Sequence, residues 1–317
     1  MLTAKIKARV PGILMYGITP PKCDTAPEKV NEIAEKTIAR LKELELDALV
    51  VYDVQDESAR TTEDRPFPFL KALDPLIFAG QYLGSLTVEK IIYRPAGKFS
   101  EEELKEWLQI LNTNGFHPVF VGIPAPGHPV KTTLADAYRL WRPYKNMSVA
   151  GAVAIPERHA LLNDEDKRML DKVTKGVSFF ISQCIFHVDY ARQMMEDLIE
   201  TCKQSKQPIP TLIFTLSACG SLKTLRFMEW LGIYIPDPLK KLLTNSDNML
   251  EKSVEICLDI ARELTAFCME KDIPFGFNIE SVAIRKQEIE ASVYMTRRIN
   301  ALLENAGLRT PIKHVTI

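Results

Sequence analysis

Eight short apolar runs, each followed by a helical or loop stretch, punctuate the chain from end to end. A strand followed by a helical segment, repeated eight times with no strand left over, is typical of a closed parallel barrel wrapped in helices. The pattern therefore predicts the α/β class and a (β/α)8 TIM barrel, as one domain over residues 1–317. The predicted strands are Gly12–Ile18, Ala48–Asp53, Lys90–Tyr93, Pro118–Ile123, Val149–Ile155, Ser178–Cys184, Thr211–Leu216 and Phe275–Glu280.

Helix-start signals lie between these runs. Thr25–Glu28 predicts a capping box with proline in the first turn, and Ser100–Glu103 opens another helix. An N-cap cluster at Asn163–Asp166 starts a third. The spacing between successive strands is long enough for the right-handed crossovers that join parallel strands.

Two connections are longer than the others and follow the second and seventh strands. The first runs over 54–89 and is expected to contain a short helix; the second runs over 217–272. In the second, the pattern predicts helices at Leu222–Trp230 and from about Met249 to Glu270. Long loops at the carboxyl ends of barrel strands are where function is expected.

Composition excludes several classes of protein. The chain has 317 residues, 46% hydrophobic and 26% charged, which fits one large folded domain, and its formal net charge is -1. The net charge therefore gives no overall electrostatic attraction to nucleic acid or to an anionic membrane. No segment has roughly twenty uninterrupted apolar residues, so no membrane span is expected. The six cysteines are widely spaced, which favours reduced thiols and a cytoplasmic location.

Polar side chains cluster at the predicted strand ends, which a barrel brings to one rim. Histidine, glutamine and arginine in such a cluster suit a polar heterocycle or a phosphate more than hydrolysis. A metal site is not expected, because Cys184 alternates with Gln183 along its strand and points the other way. The polar rim residues are Thr19, Asp53, Gln55, Asp56, Glu57, Arg94, Glu157, Arg158, His159, Gln183, His187, Ser217, Asn278 and Glu280.

Four segments, in order along the chain, resemble the methylenetetrahydrofolate reductase family. Tyr16–Lys22 is similar to a first-strand signature that ends in Pro-Pro-Lys, and Ile155–Ala160 is similar to a Tyr-Pro-Glu-x-His segment. Lys167–Phe186 resembles the helix and strand that close on Thr-Gln-x-x-Phe. Phe227, nine residues before Pro236, falls where the family has a stacking aromatic.

The resemblance implies a flavin-carrying barrel, with FAD as the expected cofactor and NAD(P)H as the reductant. It implies that His159 and Lys172 contact the flavin ribose or phosphates, that Gln183 binds the pterin ring, and that Phe227 stacks on folate or nicotinamide. From the strand ends we add Arg94 to the cofactor group. Other roles stay open: Lys172 as an exposed helix lysine, His159 as a loop or N-cap residue, and His187 as a helix start.

The chain departs from the family where the chemistry should lie. Gly17 stands in place of the first-strand glutamate that acts as general acid, and Val121–Pro126 lacks the arginine and aspartate of the fourth strand. Ile155 replaces the tyrosine of Tyr-Pro-Glu. Glu280 ends the eighth strand, beside the first in a closed barrel, and is the expected substitute acid. Partial burial there would raise its pKa.

Alternatives to this acid remain. Glu57 is a second catalytic candidate and Asp56 a substrate-binding one, both on the long second loop. Glu280 could instead pair with Arg285 or Lys286 and only fasten the last turn.

Two functions follow from the resemblance and the departures. The first is an oxidoreductase that transfers a hydride from NAD(P)H, through a flavin or directly, to a methylene-folate or related pterin. The alternative is a barrel that binds folate or a methyl carrier without reducing it, beside a methyltransferase or corrinoid partner. Both take a small-molecule folate, and a homo-oligomer is compatible with either.

Overall fold

A closed barrel of eight parallel strands forms the centre of the molecule in the computed structural model, which describes residues 2–56, 61–122 and 129–310. The strands pair in chain order, and the eighth pairs with the first. The predicted TIM barrel is thus confirmed. The strands are β1 (Ile13–Ile18), β2 (Ala48–Val51), β3 (Glu89–Pro95), β4 (His117–Val121), β5 (Ala150–Ala154), β6 (Val177–Cys184), β7 (Thr211–Ser217) and β8 (Phe275–Glu280).

Helices surround the barrel and continue into the long loops. The helix α3 is a single turn that leads into a π-helical turn at Phe78–Tyr82. The α-helices are α1 (Leu2–Ala8), α2 (Pro27–Leu41), α3 (Pro75–Ile77), α4 (Glu101–Thr113), α5 (Leu134–Trp141), α6 (Pro156–Leu162), α7 (Glu165–Thr174), α8 (Val188–Gln204), α9 (Leu222–Trp230), α10 (Asp237–Thr244), α11 (Met249–Glu270) and α12 (Lys286–Asn305).

The helix-start predictions had mixed outcomes. Ser100 and Glu103 form the expected reciprocal capping box at the start of α4. The capping box at Thr25 was wrong, because α2 begins at Pro27 with Ala26 as its N-cap, and alanine has no side-chain acceptor. Asp164 is the N-cap of α7, but its side chain caps no backbone N–H. The helices of the seventh loop have the predicted limits.

The short helix α1 closes the amino-terminal end of the barrel and was not predicted. Its Leu2 and Ile6 are buried among the side chains that fill the lumen. Glu89, at the start of β3, accepts the Leu2 backbone N–H at 2.5 Å and pairs with His117 at 2.8 Å. Hydrophobic burial and a carboxylate at its first turn therefore hold α1 under the barrel.

Strand alternation sorts side chains between the lumen and the helix layer. The lumen core contains Ile13 and Met15 of β1, whereas Leu14 and Tyr16 pack against the helices. Successive strand side chains point to opposite faces, so the same rule assigns every residue that ends a strand. Gly151 permits close approach within the lumen, because a Cβ there would lie 2.4 Å from the Phe179 ring.

No helix in the described part of the chain is long and apolar enough to cross a membrane.

Candidate functional site

Glu280, Asn278 and Tyr52 form a hydrogen-bonded group at the carboxyl end of the lumen. Glu280 and Asn278 occupy alternate positions of β8 whose side chains face the lumen. Tyr52 directly follows β2 and, two residues after Val50, faces the lumen as Val50 does. The Asn278 amide donates to the Tyr52 hydroxyl at 2.8 Å and lies 3.3 Å from the Thr215 hydroxyl. The Tyr52 and Asn278 side chains also hydrogen-bond to the Glu280 carboxyl. The tyrosine and the amide hold the carboxyl at the barrel mouth.

The electrostatics of this group favour a protonated acid. Burial raises the pKa of Glu280 above its usual value, and the hydrogen bonds from Tyr52 and Asn278 offset that rise only in part. Burial and the nearby carboxyl raise the pKa of Tyr52 well above normal, and the pKa of Tyr93, whose ring is 4.8 Å from Tyr52, rises for the same reasons. Both phenols therefore stay neutral donors. A raised carboxyl pKa is what a general acid needs at neutral pH.

Gly17 makes room for this group. It pairs with Glu280 in the β1–β8 register. A Cβ at Gly17 would lie 2.8 Å from the Tyr52 ring and 3.1 Å from the Glu280 Cβ. The side chains from β8 and β2 thus occupy the space that a side chain at position 17 would need.

A bridge between the two long loops spans the sector of the rim above β8 and β1. Phe67, in the loop after β2, packs edge-on against Phe227 of α9 at 5.2 Å, and the Trp230 indole donates to the Glu63 carbonyl at 3.1 Å. The Arg65 guanidinium lies 5.0 Å from the centre of the Phe227 ring. Phe227 is therefore buried beneath the second loop, so a ligand that stacks on it requires this contact to open.

Gln183, at the end of β6, lies beside the same helix. Its side-chain amide donates to the Leu231 carbonyl at 3.1 Å. Within the described part of the chain, no donor reaches its amide oxygen, which is available to accept an N–H from a ligand.

Asp53 and Arg94 form an ionic cluster on the outer side of the rim. Arg94 donates to Asp74 at 2.7 Å and lies 3.9 Å from Asp53, with Phe99 covering the guanidinium. Burial raises the pKa of Asp53 to about 6, while Arg94 opposes the rise. Arg94 occupies a position of β3 whose side chain points away from the lumen, so its charge is directed toward the helix layer.

His159 is buried between helices rather than at the mouth. Its Nε2 lies 2.9 Å from Asp197 on α8, and its Nδ1, to which no described residue hydrogen-bonds, lies 3.7 Å from Asp166 on α7. Only 1% of the residue is exposed. The hydrogen bond between His159 and Asp197 joins α6 to α8.

Lys172 likewise contacts the protein itself. Its amine donates to the Val153 carbonyl at 3.2 Å and lies over the Phe180 ring. Burial lowers its pKa. Lys172 is half-buried rather than an exposed helix lysine.

The flavin expected from the resemblance does not fit these side chains as they are arranged. His159, Lys172 and Arg94 would have to offset phosphate charge, yet each engages protein groups away from the lumen. Their assignment to a cofactor stays a prediction. The geometry supports no step that passes through a flavin.

The remaining predicted residues lie on the second loop and the fourth strand. Asp56 is exposed after β2, and Glu57 is outside the described residues. The stretch Val121–Pro126 is described only as far as Gly122. No group of three histidine, cysteine or acidic side chains in the described ranges could hold a metal ion.

Sequence reasoning missed Tyr52 and Tyr93. Both side chains face the lumen. Tyr52 continues the alternation of the lumen-facing Ala48 and Val50, and Tyr93 lies two residues after the lumen-facing Ile91. Following that two-residue period along β3, and one step beyond the end of β2, would have found them. The list of polar residues at the predicted strand ends did not include these two tyrosines.

The chain is similar to a known protein family and to solved structures. A family model described as methylenetetrahydrofolate reductase matches residues 133–281. The chain is 39% identical to an uncharacterized protein from Clostridium thermocellum described as binding two copies of 5-methyl-5,6,7,8-tetrahydrofolic acid; the match covers 95% of this chain and 99% of that one, with a TM-score of 0.81. No curated protein matches the chain.

A more distant structure shows the fold alone. EDTA monooxygenase from Chelativorans sp. BNC1 is 11% identical, covers 94% of each chain and has a TM-score of 0.50.

Fold and rim together define a TIM barrel with a half-buried acid at its carboxyl mouth. The chain belongs to the methylenetetrahydrofolate reductase family.

Proposed function

We propose that this protein binds a reduced folate at the barrel mouth and reduces its methylene group to a methyl group with NAD(P)H. One observation carries the proposal: Glu280 is half-buried at the barrel mouth, has a carboxyl whose pKa burial raises, and is paired in register with Gly17. The acid has thus moved to the neighbouring strand while staying in the same part of the lumen. The similarity to a protein described as binding 5-methyl-tetrahydrofolic acid supports the substrate class.

In this mechanism Glu280 donates its proton to a nitrogen of the methylene bridge. The carbon–nitrogen bond to that atom breaks, leaving a cationic carbon that accepts a hydride from the nicotinamide. Methyl-folate and NAD(P)⁺ are the products, and a proton from solvent restores the acid. Tyr52 and Asn278 orient the carboxyl, and the amide oxygen of Gln183 accepts an N–H of the pterin edge.

The proposal uses NAD(P)H directly, because the cationic side chains expected for a flavin are engaged elsewhere. Its test is oxidation of NADH or NADPH that depends on methylene-tetrahydrofolate, in wild type and in Glu280→Gln. The matched control is Glu290→Gln, an exposed carboxylate on α12. Wild type and the control should turn over and Glu280→Gln should not, with 5-methyl-tetrahydrofolate binding kept in all three. Unchanged turnover in Glu280→Gln would refute the role of the acid.

An absorbance spectrum of the purified protein tests the cofactor separately. Flavin bands, or uptake of added FAD that restores activity, would show that the side chains around His159 and Lys172 rearrange to hold the cofactor. Colourless protein that turns over would support direct transfer.

A second candidate function is folate or methyl-carrier binding without reduction, beside a methyltransferase or corrinoid partner. The departures from the family motifs favour it, because Gly17 stands in place of the first-strand glutamate and Val121–Pro126 lacks the arginine and aspartate of the fourth strand. Tight binding of 5-methyl-tetrahydrofolate with no NAD(P)H oxidation would support this candidate over the reductase.

A cytoplasmic location belongs to the same proposal. It rests on the six cysteines, all of which are free thiols and five of which are buried. Subcellular fractionation followed by detection of the protein with a specific antibody would test this location.

A further inference from the structure

Two aromatic rings of α9 are covered by a planar cation from the second loop. The rings of Phe227 and Trp230 are nearly parallel, with 18° between their planes. The Arg65 guanidinium lies over both, 5.0 Å from the centre of the Phe227 ring and 5.2 Å from that of Trp230. Both aromatic residues are buried. A flat, positively charged group of the chain itself thus covers ring faces on which a flat ligand could stack.

Residues 61–70, which we call the strap, carry Arg65 and belong to no helix or strand. Within the strap, Arg65 donates to the Phe67 carbonyl at 2.8 Å and lies 5.7 Å from the centre of the Phe69 ring. The strap is therefore organised around Arg65 by its own contacts as well as by those to α9. It can leave the two rings as a unit without losing these internal contacts.

The root of the strap is fixed by backbone pairing. Directly after the strap, the Cys23 N–H donates to the Lys71 carbonyl at 2.9 Å, and the Leu73 N–H donates to the Pro21 carbonyl at 2.8 Å. These bonds tie the carboxyl end of the strap to the loop after β1. Opening would therefore turn about the residues next to this root.

The tip of the strap is held on α9 mainly through side chains. Phe67 packs edge-on against Phe227 at 5.2 Å, and the Lys223 amine lies 4.5 Å from the centre of the Phe67 ring. The Trp230 indole donates to the Glu63 carbonyl at 3.1 Å. Ring and cation–π contacts are individually small, and a ligand ring can replace them. The strap therefore opens more readily at its tip than at its root.

We propose that the strap is an autoinhibitory segment, in which Arg65 and Phe67 occupy the faces of Phe227 and Trp230 and must leave them before a flat ligand can enter. The inference rests on the proposed binding of a folate at the barrel mouth, and it adds the step that controls entry. Ligand and strap compete for the same ring faces. The apparent affinity and the association rate constant therefore both scale with the fraction of molecules whose strap is open.

Stopped-flow fluorescence and isothermal calorimetry on the full chain test the inference, with 5-methyl-tetrahydrofolate as the probe. Phe67→Ala and Arg65→Gln loosen the strap, and Leu70→Ala is the matched control, because Leu70 is a strap residue that is 49% exposed. Phe67→Ala and Arg65→Gln should each raise the association rate constant and lower the dissociation constant by about threefold or more. Leu70→Ala should change neither. Arg65→Gln keeps the Phe67 ring in place, so it carries the test if circular dichroism shows that Phe67→Ala is unfolded.

Fluorine NMR of protein labelled with 5-fluorotryptophan reports the position of the strap directly. The chain has three tryptophans, so Trp230→Phe assigns the Trp230 resonance. In wild type, added ligand should move this resonance toward its position in ligand-free Phe67→Ala. The resonance of Trp141, whose indole donates to Ser148 at 2.9 Å, should stay in place.

The outcomes separate this inference from the proposed function. Weaker or slower binding in Phe67→Ala and Arg65→Gln would show that the strap belongs to the bound complex, and it overturns the inference. Unchanged binding in both variants, or binding in no form of the protein, also overturns it. Faster and tighter binding without NAD(P)H oxidation supports the inference and removes the proposed reduction. Turnover that depends on Glu280, with unchanged binding in the strap variants, keeps the proposed function and overturns the inference alone.

Discussion

Two sets of candidate residues at the same rim have opposite surroundings. The lumen set, Glu280, Asn278 and Tyr52, converges on the barrel axis and holds a carboxyl whose pKa burial raises. The cationic set, His159, Lys172 and Arg94, points into the helix layer, where Asp197, the Val153 carbonyl and Asp74 engage it. The charged motif residues thus stabilise the shell, and the group suited to chemistry lies on lumen-facing positions.

The difference follows from strand geometry. Side chains alternate between the two faces of a strand, so residues one position apart at a strand end have different environments. Tyr93 faces the lumen and Arg94 the shell, although they are adjacent. Whether a strand position faces the lumen or the helix layer therefore separates the candidate site residues better than residue type does.

The largest effect should come from removing the acid in the lumen. Glu280→Gln should lower NAD(P)H-dependent turnover of methylene-folate by about 10²- to 10⁴-fold, because the amide cannot donate the proton. Lys172→Met, in the cationic set, should change turnover by less than about threefold if its amine only bonds to the protein. Steady-state kinetics measures both. Comparable losses of turnover in Glu280→Gln and Lys172→Met would show that the lumen set and the cationic set do not differ in their role.

Breaking the hydrogen bond between His159 and Asp197 should lower stability and leave the chemistry unchanged. Asp197→Ala leaves the buried imidazole without its partner and should lower the free energy of unfolding by about 1 to 3 kcal/mol, measured by urea denaturation. Asp189→Ala, at an exposed site on the same helix, should cost less than about 0.5 kcal/mol. Loss of folate binding in Asp197→Ala with unchanged stability would place His159 in the binding site.

Gly17→Ala should disturb the lumen set through packing. The added methyl group meets the Tyr52 ring and the Glu280 Cβ, so we expect a loss of about 1 to 3 kcal/mol in stability together with lower turnover. Gly122→Ala is the matched control, because the nearest described heavy atom to its Cβ is 4.0 Å away. Equal stability of the two alanine variants in thermal or urea unfolding would count against the tight contact.

The smallest effect should be a shift in pH dependence. The Tyr52 hydrogen bond lowers the Glu280 pKa, so Tyr52→Phe should raise that pKa. Because the acid works in its protonated form, activity should extend to higher pH, and the alkaline limb of the turnover profile should move upward. Tyr93→Phe, which removes no hydrogen bond to Glu280, should leave the limb in place. A downward shift in Tyr52→Phe would contradict the hydrogen bond.

The barrel was largely predictable from local pattern. The strand Phe275–Glu280 and the helix Leu222–Trp230 have the limits expected from apolar runs and helical spacing. The capping box at Ser100 was readable because its partners are three residues apart. The helix α1 was missed because its burial depends on the distant strands whose lumen it closes.

The candidate site was predictable only in part. Glu280 was expected beside Gly17 because closure places the last strand next to the first, and the register confirms that neighbourhood. The hydrogen bond of Tyr52 to Asn278 joins residues 226 positions apart, and the burial of Phe227 depends on a loop 160 residues away. Neither relation has a local sequence signal.

The sequence by itself determined the eight-strand barrel, the rim that carries the polar residues and the family resemblance, since periodicity and short motifs are local properties. The tertiary structure decided which polar residues share the lumen, which pair with helices, and that burial raises the Glu280 pKa. Those properties depend on barrel closure, cross-strand register and desolvation by residues far apart in the chain, which no local pattern encodes.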